Sequence, residues 1–314
     1  MSVFLEALKR HGHLTNLHMT VCNVGSRKLG QHDDYGSSDW GIFAPNLTIY
    51  GFDADADACD AANTDLENRQ VNWNEEHIPI ALSDKVGERT LYVTQNPMCS
   101  SLYPPNEPYL ARFQGLPELV NLDFSIGLET TTLDEFCREA RINQIDFLQV
   151  DVQGADLSVL EGGQEILKTI FAVQIEVEFS HLYEGQPLFA DVDVYLRKRD
   201  FTLFDLATSY GVRSRSPIAS RIRPGQLLWA DAFYFRDLLQ KTKNDPQKLL
   251  KLTFIADILN FPDYALEIME YLTLNYGSDP RYNLADVILD GLSQFPDLVQ
   301  QDLGSLEIIQ RVFD

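Results

Sequence analysis

The stretches Thr20–Ser26 (TVCNVGS) and Leu47–Asp53 (LTIYGFD) decide the fold. Each is an apolar run with a sharp end, the first at Gly25 and the second at Asp53. A strand, a tight glycine turn, a helix, a second strand and a terminal carboxylate form the nucleotide-binding half of a doubly wound α/β fold. We therefore predict that Gly25 lets the backbone approach a ligand and that Asp53 accepts the hydroxyls of a ribose.

The composition is that of a globular, strongly acidic chain. Its 314 residues are 45% hydrophobic, and 25 Lys and Arg stand against 47 Asp and Glu, which gives a formal net charge of -22. Such a surface repels phosphate backbones and anionic lipids, so we expect neither nucleic acid nor a membrane as partner. The first ten residues resemble an amphipathic helix and not a signal peptide, which favours a cytoplasmic location. The four cysteines lack the spacing of a disulfide framework or a zinc site.

Strand-like and helix-like runs alternate to about residue 236, which indicates a sheet with crossover helices. The predicted strands are Met19–Val24, Leu47–Phe52, His77–Leu82, Asp146–Val152, Phe171–Phe179, Phe201–Ala207 and Leu227–Phe235, with an extra strand at Arg89–Gln95. The predicted helices between them are Asp55–Leu66, Thr132–Arg141, Ala155–Leu167 and Leu188–Arg199. Residues 96–130 begin with a run rich in Pro, Ser and Asn, and we predict a long loop there.

The pattern changes near Leu238, where helical periodicity takes over. The predicted helices are Lys248–Leu259, Tyr264–Tyr276, Leu284–Gln294 and Leu298–Val312, with breaks at Pro246, Pro262, Pro280 and Pro296. We therefore divide the chain into an α/β domain, residues 1–237, and a small all-helical appendage, residues 238–314.

Three strand ends carry candidate binding residues. In the turn after the first strand, Gly25 and Gly30 do not make the GxGxxG spacing of dinucleotide binders, so a nicotinamide-dependent oxidoreductase is disfavoured and a purely structural turn stays open. Asp53 could instead cap the next helix, but Asp55 is available as a cap. Ser83 and Asp84 end the third strand and either meet an adenine amino group or form an ordinary turn.

Two further candidates carry acid–base chemistry. Asp151 ends a central strand and so lies in the crevice where open α/β sheets bind ligands, although it could also cap the following helix. His181 follows the next strand and is a candidate general base, because a histidine pKa lies near working pH, or else an ordinary loop residue. Glu176 is a weaker third candidate. Asp151 and Glu176 together could hold a cation, so a divalent metal is left open, and no other metal site is indicated.

Several stretches, taken in order, resemble the FkbM family of S-adenosylmethionine-dependent methyltransferases over about residues 19–236. They are ALSD at 81–84, TLYVT at 90–94, NP at 96–97, CSSLY at 99–103, TLDEF at 132–136, residues 145–156, and LYEGQPL at 182–188. The resemblance implies a class I methyltransferase: a Rossmann-like, seven-stranded mixed sheet with helices on both faces and the last strand antiparallel. It also implies O-methylation of a small molecule or a sugar hydroxyl.

The resemblance also implies a role for each candidate residue. Gly25, with Asn23 and Ser26 beside it, would face the methionine part of S-adenosylmethionine. Asp53 would bind the ribose hydroxyls, Ser83 or Asp84 the adenine, and Asp151 would stand beside the transferring methyl, with His181 as the second candidate base.

Two positions depart from the family pattern, which has an acidic residue in place of Asn23 and commonly Lys in place of Gln149. They motivate an alternative, a catalytically degenerate interaction module whose C-terminal helices bind a partner. A homo-oligomer is also possible. The sequence specifies neither the acceptor nor the oligomeric state.

Overall fold

The computed structural model describes residues 2–15, 17–27, 34–218, 220–239, 244–299, 304 and 306–308. The strands are β1 (Met19–Val24), β2 (Leu47–Phe52), β3 (Asn74–Ile78), β4 (Ala81–Leu82), β5 (Gly87–Thr94), β6 (Leu122–Thr131), β7 (Phe147–Val150), β8 (Ala172–Glu178), β9 (Phe201–Gly211) and β10 (Gln226–Arg236). The α-helices are α1 (Leu5–Arg10), α2 (Ala56–Arg69), α3 (Glu107–Leu110), α4 (Leu116–Val120), α5 (Leu133–Ala140), α6 (Asp156–Glu161), α7 (Phe189–Arg197), α8 (Pro246–Ile258), α9 (Pro262–Tyr276) and α10 (Ala285–Gln294).

The centre of the molecule is a seven-stranded sheet in the order β3-β2-β1-β7-β8-β10-β9. Its first five strands are parallel, and β10 runs antiparallel between β8 and β9. The central strand β1 is buried along its whole length, as expected for a parallel strand covered on both faces. The predicted mixed sheet of seven strands is confirmed, and the carboxyl ends of the parallel strands meet at one edge.

A second, three-stranded sheet in the order β4-β6-β5 stands beside this edge. The predicted third strand, His77–Leu82, is divided between the two sheets, since β3 ends at Ile78 and β4 begins at Ala81. The prediction of a loop through residues 96–130 was wrong for β6, which forms a long hairpin with β5. Most of β6 is exposed, so it lacks the buried face that would have marked it in the sequence.

The crossover from β1 to β2 also differs from the prediction of a helix. In its described part the chain forms two short 3-10 helices, Tyr35–Ser37 and Asp39–Phe43, while residues 28–33, with Gly30, lie outside the described residues. Trp40 and Phe43 are buried in the same core as the C-terminal helices. Those helices fill the sheet face that a long crossover helix would otherwise cover.

The C-terminal region contains three of the four predicted helices. Pro246 and Pro262 stand in the first turn of α8 and α9, so these prolines begin helices. The fourth predicted helix, Leu298–Val312, lies mostly outside the described residues, and a short 3-10 helix covers Pro296–Leu298.

These helices share one core with the sheet. Helix α8 is buried on nearly all sides, which is typical of a helix enclosed within a protein, and its Phe254 belongs to the same cluster as Phe147 of β7. The Asp257 carboxylate accepts hydrogen bonds from the backbone N–H groups of Val3, Phe4 and Leu5 at 2.8, 2.7 and 3.0 Å. Helix α8 therefore joins the N-terminus to the sheet. Whether residues 1–237 and 238–314 are separate folding units stays a prediction.

A buried ion pair fixes α8 to the amino ends of the central strands. Lys251 Nζ lies 2.9 and 2.7 Å from the two carboxylate oxygens of Asp146, which is fully buried. Asp146 also accepts the Thr20 N–H at 2.9 Å. No helix in the described part of the chain is long and apolar enough to cross a membrane.

Candidate active site

A cleft of about 570 Å³ opens at the carboxyl ends of β1, β2 and β7. Gly25, Asp53 and Asp151 all line it, each at the end of a different strand. Its opposite wall is formed by the small sheet. The volume lies within the range of about 300–1,000 Å³ found for small-molecule sites.

The Gly25 turn brings the ends of β1 and β7 together. Gly25 has φ +88° and donates its N–H to the Phe52 carbonyl at 2.8 Å. A Cβ at this position would lie 1.9 Å from the backbone oxygen of Asp151. Only glycine allows both this conformation and this approach.

Replacing Gly25 with Ala should therefore both destabilise the protein and distort the floor of the cleft. Gly185→Ala is a matched control, because Gly185 has φ +77° but nothing within 4 Å of an added Cβ. We expect about 1–2 kcal/mol of lost stability for Gly185→Ala and a larger loss for Gly25→Ala, measured by urea unfolding. Equal losses in the two variants would show that the contact with Asp151 is not tight.

Asp53 ends β2 and faces the cleft. Its Oδ1 accepts the Asp55 N–H at 2.8 Å, and its Oδ2 lies 3.9 Å from Arg27 Nε. Burial raises the pKa of this carboxyl above its ordinary value, and these contacts oppose the shift only in part. Asp55 is the cap of α2, accepting the N–H groups of Asp57 and Ala58. Asp53 is therefore not needed as the cap of α2.

Asp151 belongs to a hydrogen-bonded network behind the cleft. Gln153 Nε2 donates to Asp151 Oδ1 at 2.7 Å and to Glu176 Oε2 at 2.8 Å. The Tyr183 hydroxyl lies 3.0 Å from Gln153 Oε1, and Ser101 Oγ donates to the Gln153 carbonyl at 2.6 Å. One side-chain amide therefore fixes two carboxyl groups. Tyr183 holds that amide, and Ser101, from the loop after β5, holds the backbone of Gln153.

Three more carboxyl groups are buried behind Asp151. Burial, followed by the charge of Asp151, raises the pKa of Asp156 to about 7 and that of Glu176 well above its ordinary value. The pKa of Glu178 is also raised, first by burial. Of these four carboxyl groups, only Asp151 lines the cleft, so it is the one that a ligand can reach.

The described residues contain no cluster of three or more His, Cys, Asp or Glu side chains arranged to hold a metal ion. Asp151 and Glu176, the pair considered from the sequence, both receive the Gln153 amide. The Gln153 amide nitrogen therefore bridges the two carboxyl groups.

Asn23 and Ser26 flank Gly25 in the chain but do not line the cleft. Asn23 stands between Gly51 and Gln149 in the sheet, and its buried Oδ1 has no hydrogen-bond partner among the described residues. Ser26 Oγ is 3.0 Å from His77 Nδ1. Roles for these two residues in cofactor binding stay predictions.

Ser83, Asp84 and His181 also lie outside the cleft lining. Ser83 Oγ donates to Asp84 Oδ1 at 3.1 Å, and Asp84 pairs with Arg89, so the two residues hold the turn between β4 and β5. His181 is exposed, and its carbonyl accepts from Asn106 Nδ2 at 3.0 Å. The structure thus brings Gly25, Asp53 and Asp151 together and keeps the other predicted site residues apart from them.

Sequence reasoning missed Gln153, Ser101 and Tyr183. The only available signal was their place in the stretches 145–156, 99–103 and 182–188. Gln153 has φ +56°, so its direction depends on a backbone conformation that no pattern of residue types reveals.

Part of the chain matches a known protein family. The profile of the Methyltransferase FkbM domain matches residues 30–203. The curated 2-O-methyltransferase NoeI of Sinorhizobium fredii (strain NBRC 101917 / NGR234) is 42% identical over 76 residues, which are 24% of this chain and 31% of NoeI.

Two solved methyltransferases are similar to part of this chain at low identity. Methyltransferase FkbM from Methylobacillus flagellatus KT is 12% identical, with a TM-score of 0.39 over 69% of this chain and 43% of that one. Magnesium protoporphyrin IX methyltransferase (ChlM) from Synechocystis PCC 6803, solved with bound SAM, is 10% identical, with a TM-score of 0.33 over 74% of this chain and 76% of that one. The chain thus covers 31% of NoeI and 43% of the Methylobacillus protein.

The strand order, with its antiparallel β10 and a cleft at the carboxyl ends, is that of a Rossmann-like methyltransferase. The profile match spans more than half of the residues, and the chain belongs to the FkbM family of S-adenosylmethionine-dependent methyltransferases. The resemblance noted in the sequence is confirmed.

Proposed function

We propose that the protein is an O-methyltransferase that transfers the methyl group of S-adenosylmethionine to a hydroxyl of a small molecule or a sugar. The observation that carries this proposal is the cleft that joins the Gly25 turn, Asp53 and Asp151. The name of the relative NoeI, a 2-O-methyltransferase, supports a hydroxyl acceptor.

The residues in the cleft suit S-adenosylmethionine. A partly buried carboxylate at Asp53 can accept the two hydroxyls of a ribose. Ile80 and Leu82 offer apolar surface to an adenine ring nearby, and the Gly25 turn adds no side chain to the floor. When bound, the cofactor supplies an electrophilic methyl group on a positively charged sulfonium.

Asp151 is the proposed proton acceptor for the hydroxyl. An alcohol attacks well only as its proton leaves, and a positioned carboxylate can take that proton. Gln153 holds Asp151 by one oxygen. The rest of the rate acceleration comes from positioning, because two reactants held in line in the cleft react faster than two that diffuse freely. His181 stays a second candidate base, although it would have to approach from outside the cleft.

Asp53→Ala should weaken the binding of S-adenosylhomocysteine about 10- to 100-fold, because hydrogen bonds to a charged group contribute about 1.5–3 kcal/mol each. Asp57→Ala is the control, since Asp57 also lines the cleft but sits on the first turn of α2. Calorimetric titration measures both affinities. An unchanged affinity in Asp53→Ala would remove Asp53 from the binding site.

The function itself is tested in two stages. The folded protein is first titrated with S-adenosylmethionine and S-adenosylhomocysteine, and both should bind. It is then incubated with S-adenosylmethionine and a panel of sugars and small alcohols, and formation of S-adenosylhomocysteine is followed. A folded protein that binds neither ligand would contradict the proposal at its first stage.

The alternative of a degenerate interaction module is not favoured. The apolar faces of α8 and α9 are buried in the core that these helices share with the sheet, and Phe254, Ile255 and Ile268 are fully buried there. The helices therefore have a structural task that needs no partner. A cytoplasmic location remains part of the proposal, and its support is that all four cysteines are free thiols.

A further inference from the structure

The hairpin of β5 and β6 presents an apolar face to the cleft. Two cross-strand pairs, Leu91 with Ile126 and Val93 with Phe124, stand next to each other, and all four side chains line the cleft. We call these four residues the hairpin panel. Phe124 is 50% exposed and Ile126 45%, so the panel is open to a ligand.

The other face of the same hairpin carries polar side chains and a glycine. Thr90, Tyr92, Ser125 and Gly127 alternate with the panel residues along the two strands. If the face towards the cleft contacted only solvent, polar side chains would serve there as well as apolar ones. Adjacent apolar side chains that stay exposed at the mouth of a cleft are typical of a ligand-binding surface.

The charge of the cleft restricts what can bind there. The lining carries five carboxylates, Asp53, Asp55, Asp57, Asp123 and Asp151. Among the described residues that line the cleft, Arg27 is the only cation, and it is paired with Asp55. An anionic acceptor placed beside these carboxylates would meet negative potential, and no described residue of the lining offers it an unpaired cation.

We propose that the hairpin panel binds the methyl acceptor, and that this acceptor is an uncharged or cationic hydroxyl compound with an aryl or alkyl group. The inference rests on the proposed function and specifies its substrate class. The panel shares the cleft with Asp151, and Ser101, from the loop after β5, contacts both the cleft and Gln153. An acceptor on the panel therefore has the proton acceptor within the same cavity.

Three simple probes separate the properties that matter. 2-Phenylethanol is a neutral aryl alcohol, phenylacetate has a carboxylate in place of the hydroxyl, and glycerol lacks the apolar group. Each is added to the full-length protein saturated with S-adenosylhomocysteine, and saturation-transfer NMR measures binding. We expect 2-phenylethanol to bind at least about tenfold more tightly than either of the other two.

Variants of the hairpin locate the binding. Phe124→Ala should weaken the binding of 2-phenylethanol about tenfold and change the affinity for S-adenosylhomocysteine by less than about twofold. Ser125→Ala is the matched control, because Ser125 is the next residue of β6 and lies on the opposite face. It should alter neither affinity.

The possible outcomes are distinct. If phenylacetate or glycerol binds as well as 2-phenylethanol, or if Phe124→Ala binds it normally, the panel does not select the acceptor. If Phe124→Ala loses S-adenosylhomocysteine instead, the panel belongs to the cofactor. Failure of the wild-type protein to bind S-adenosylhomocysteine would overturn the proposed function itself, and a separate titration without the probes shows this.

Discussion

Asp151→Asn should lower the rate of methyl transfer by about 10²- to 10⁴-fold, the usual contribution of a general base. The amide has nearly the shape of the carboxylate, and its oxygen can still accept the hydrogen bond that Gln153 donates at 2.7 Å. What it cannot do is take a proton from the acceptor hydroxyl. The affinity for S-adenosylhomocysteine should therefore change little, and the rate of S-adenosylhomocysteine formation with an active acceptor is the measurement.

A neighbouring carboxylate provides the control for this variant. Asp123 lines the same cleft but is exposed on β6. Asp123→Asn removes the same charge from the cavity, and we expect its rate to stay within about threefold of the wild type, as for a surface charge of small effect. If both variants lose activity equally, the charge of the cleft matters and not the position of Asp151. If Asp151→Asn keeps full activity, Asp151 is not the base.

Lys251→Met should destabilise the protein by about 3–5 kcal/mol, because it leaves the buried Asp146 carboxylate without its cation. Asp146 is fully buried and lies 2.7 Å from Lys251 Nζ. Methionine retains the apolar length of the lysine side chain, so the loss reports the unpaired charge. Urea unfolding at neutral pH measures it.

The double variant Lys251→Met with Asp146→Asn should recover part of this loss, since no charge is then left unpaired. Lys168→Ala serves as a surface control, because Lys168 is 67% exposed where it pairs with Glu165. Its expected cost is below about 1 kcal/mol. A small effect of Lys251→Met would mean that α8 is not held to the sheet by this pair.

Local patterns were sufficient for most strands of the main sheet, although not for the bounds of β3. The predicted bounds of β1 and β2 agree with the structure residue for residue, because both are buried apolar runs with clear ends. The same method failed for β6, whose exposed residues depend on pairing with β5. The C-terminal helices were predicted from their periodicity, but periodicity does not reveal that α8 enters the core of the sheet.

The candidate site was predictable to the extent that it depends on strand ends. Gly25, Asp53 and Asp151 each end a parallel strand, and parallel topology brings such ends to one edge. Ser83 and Asp84 end β4, which belongs to the second sheet, so the same rule does not apply to them. Gln153 and Tyr183 meet through tertiary contacts, which no spacing in the sequence encodes.

An experimental structure of the protein with S-adenosylhomocysteine tests the central claim most directly. We expect density in the cleft above Gly25, with the ribose hydroxyls at Asp53 and the sulfur on the side of Asp151. Density for the ligand at another place on the molecule, with this cleft filled only by water, would contradict it.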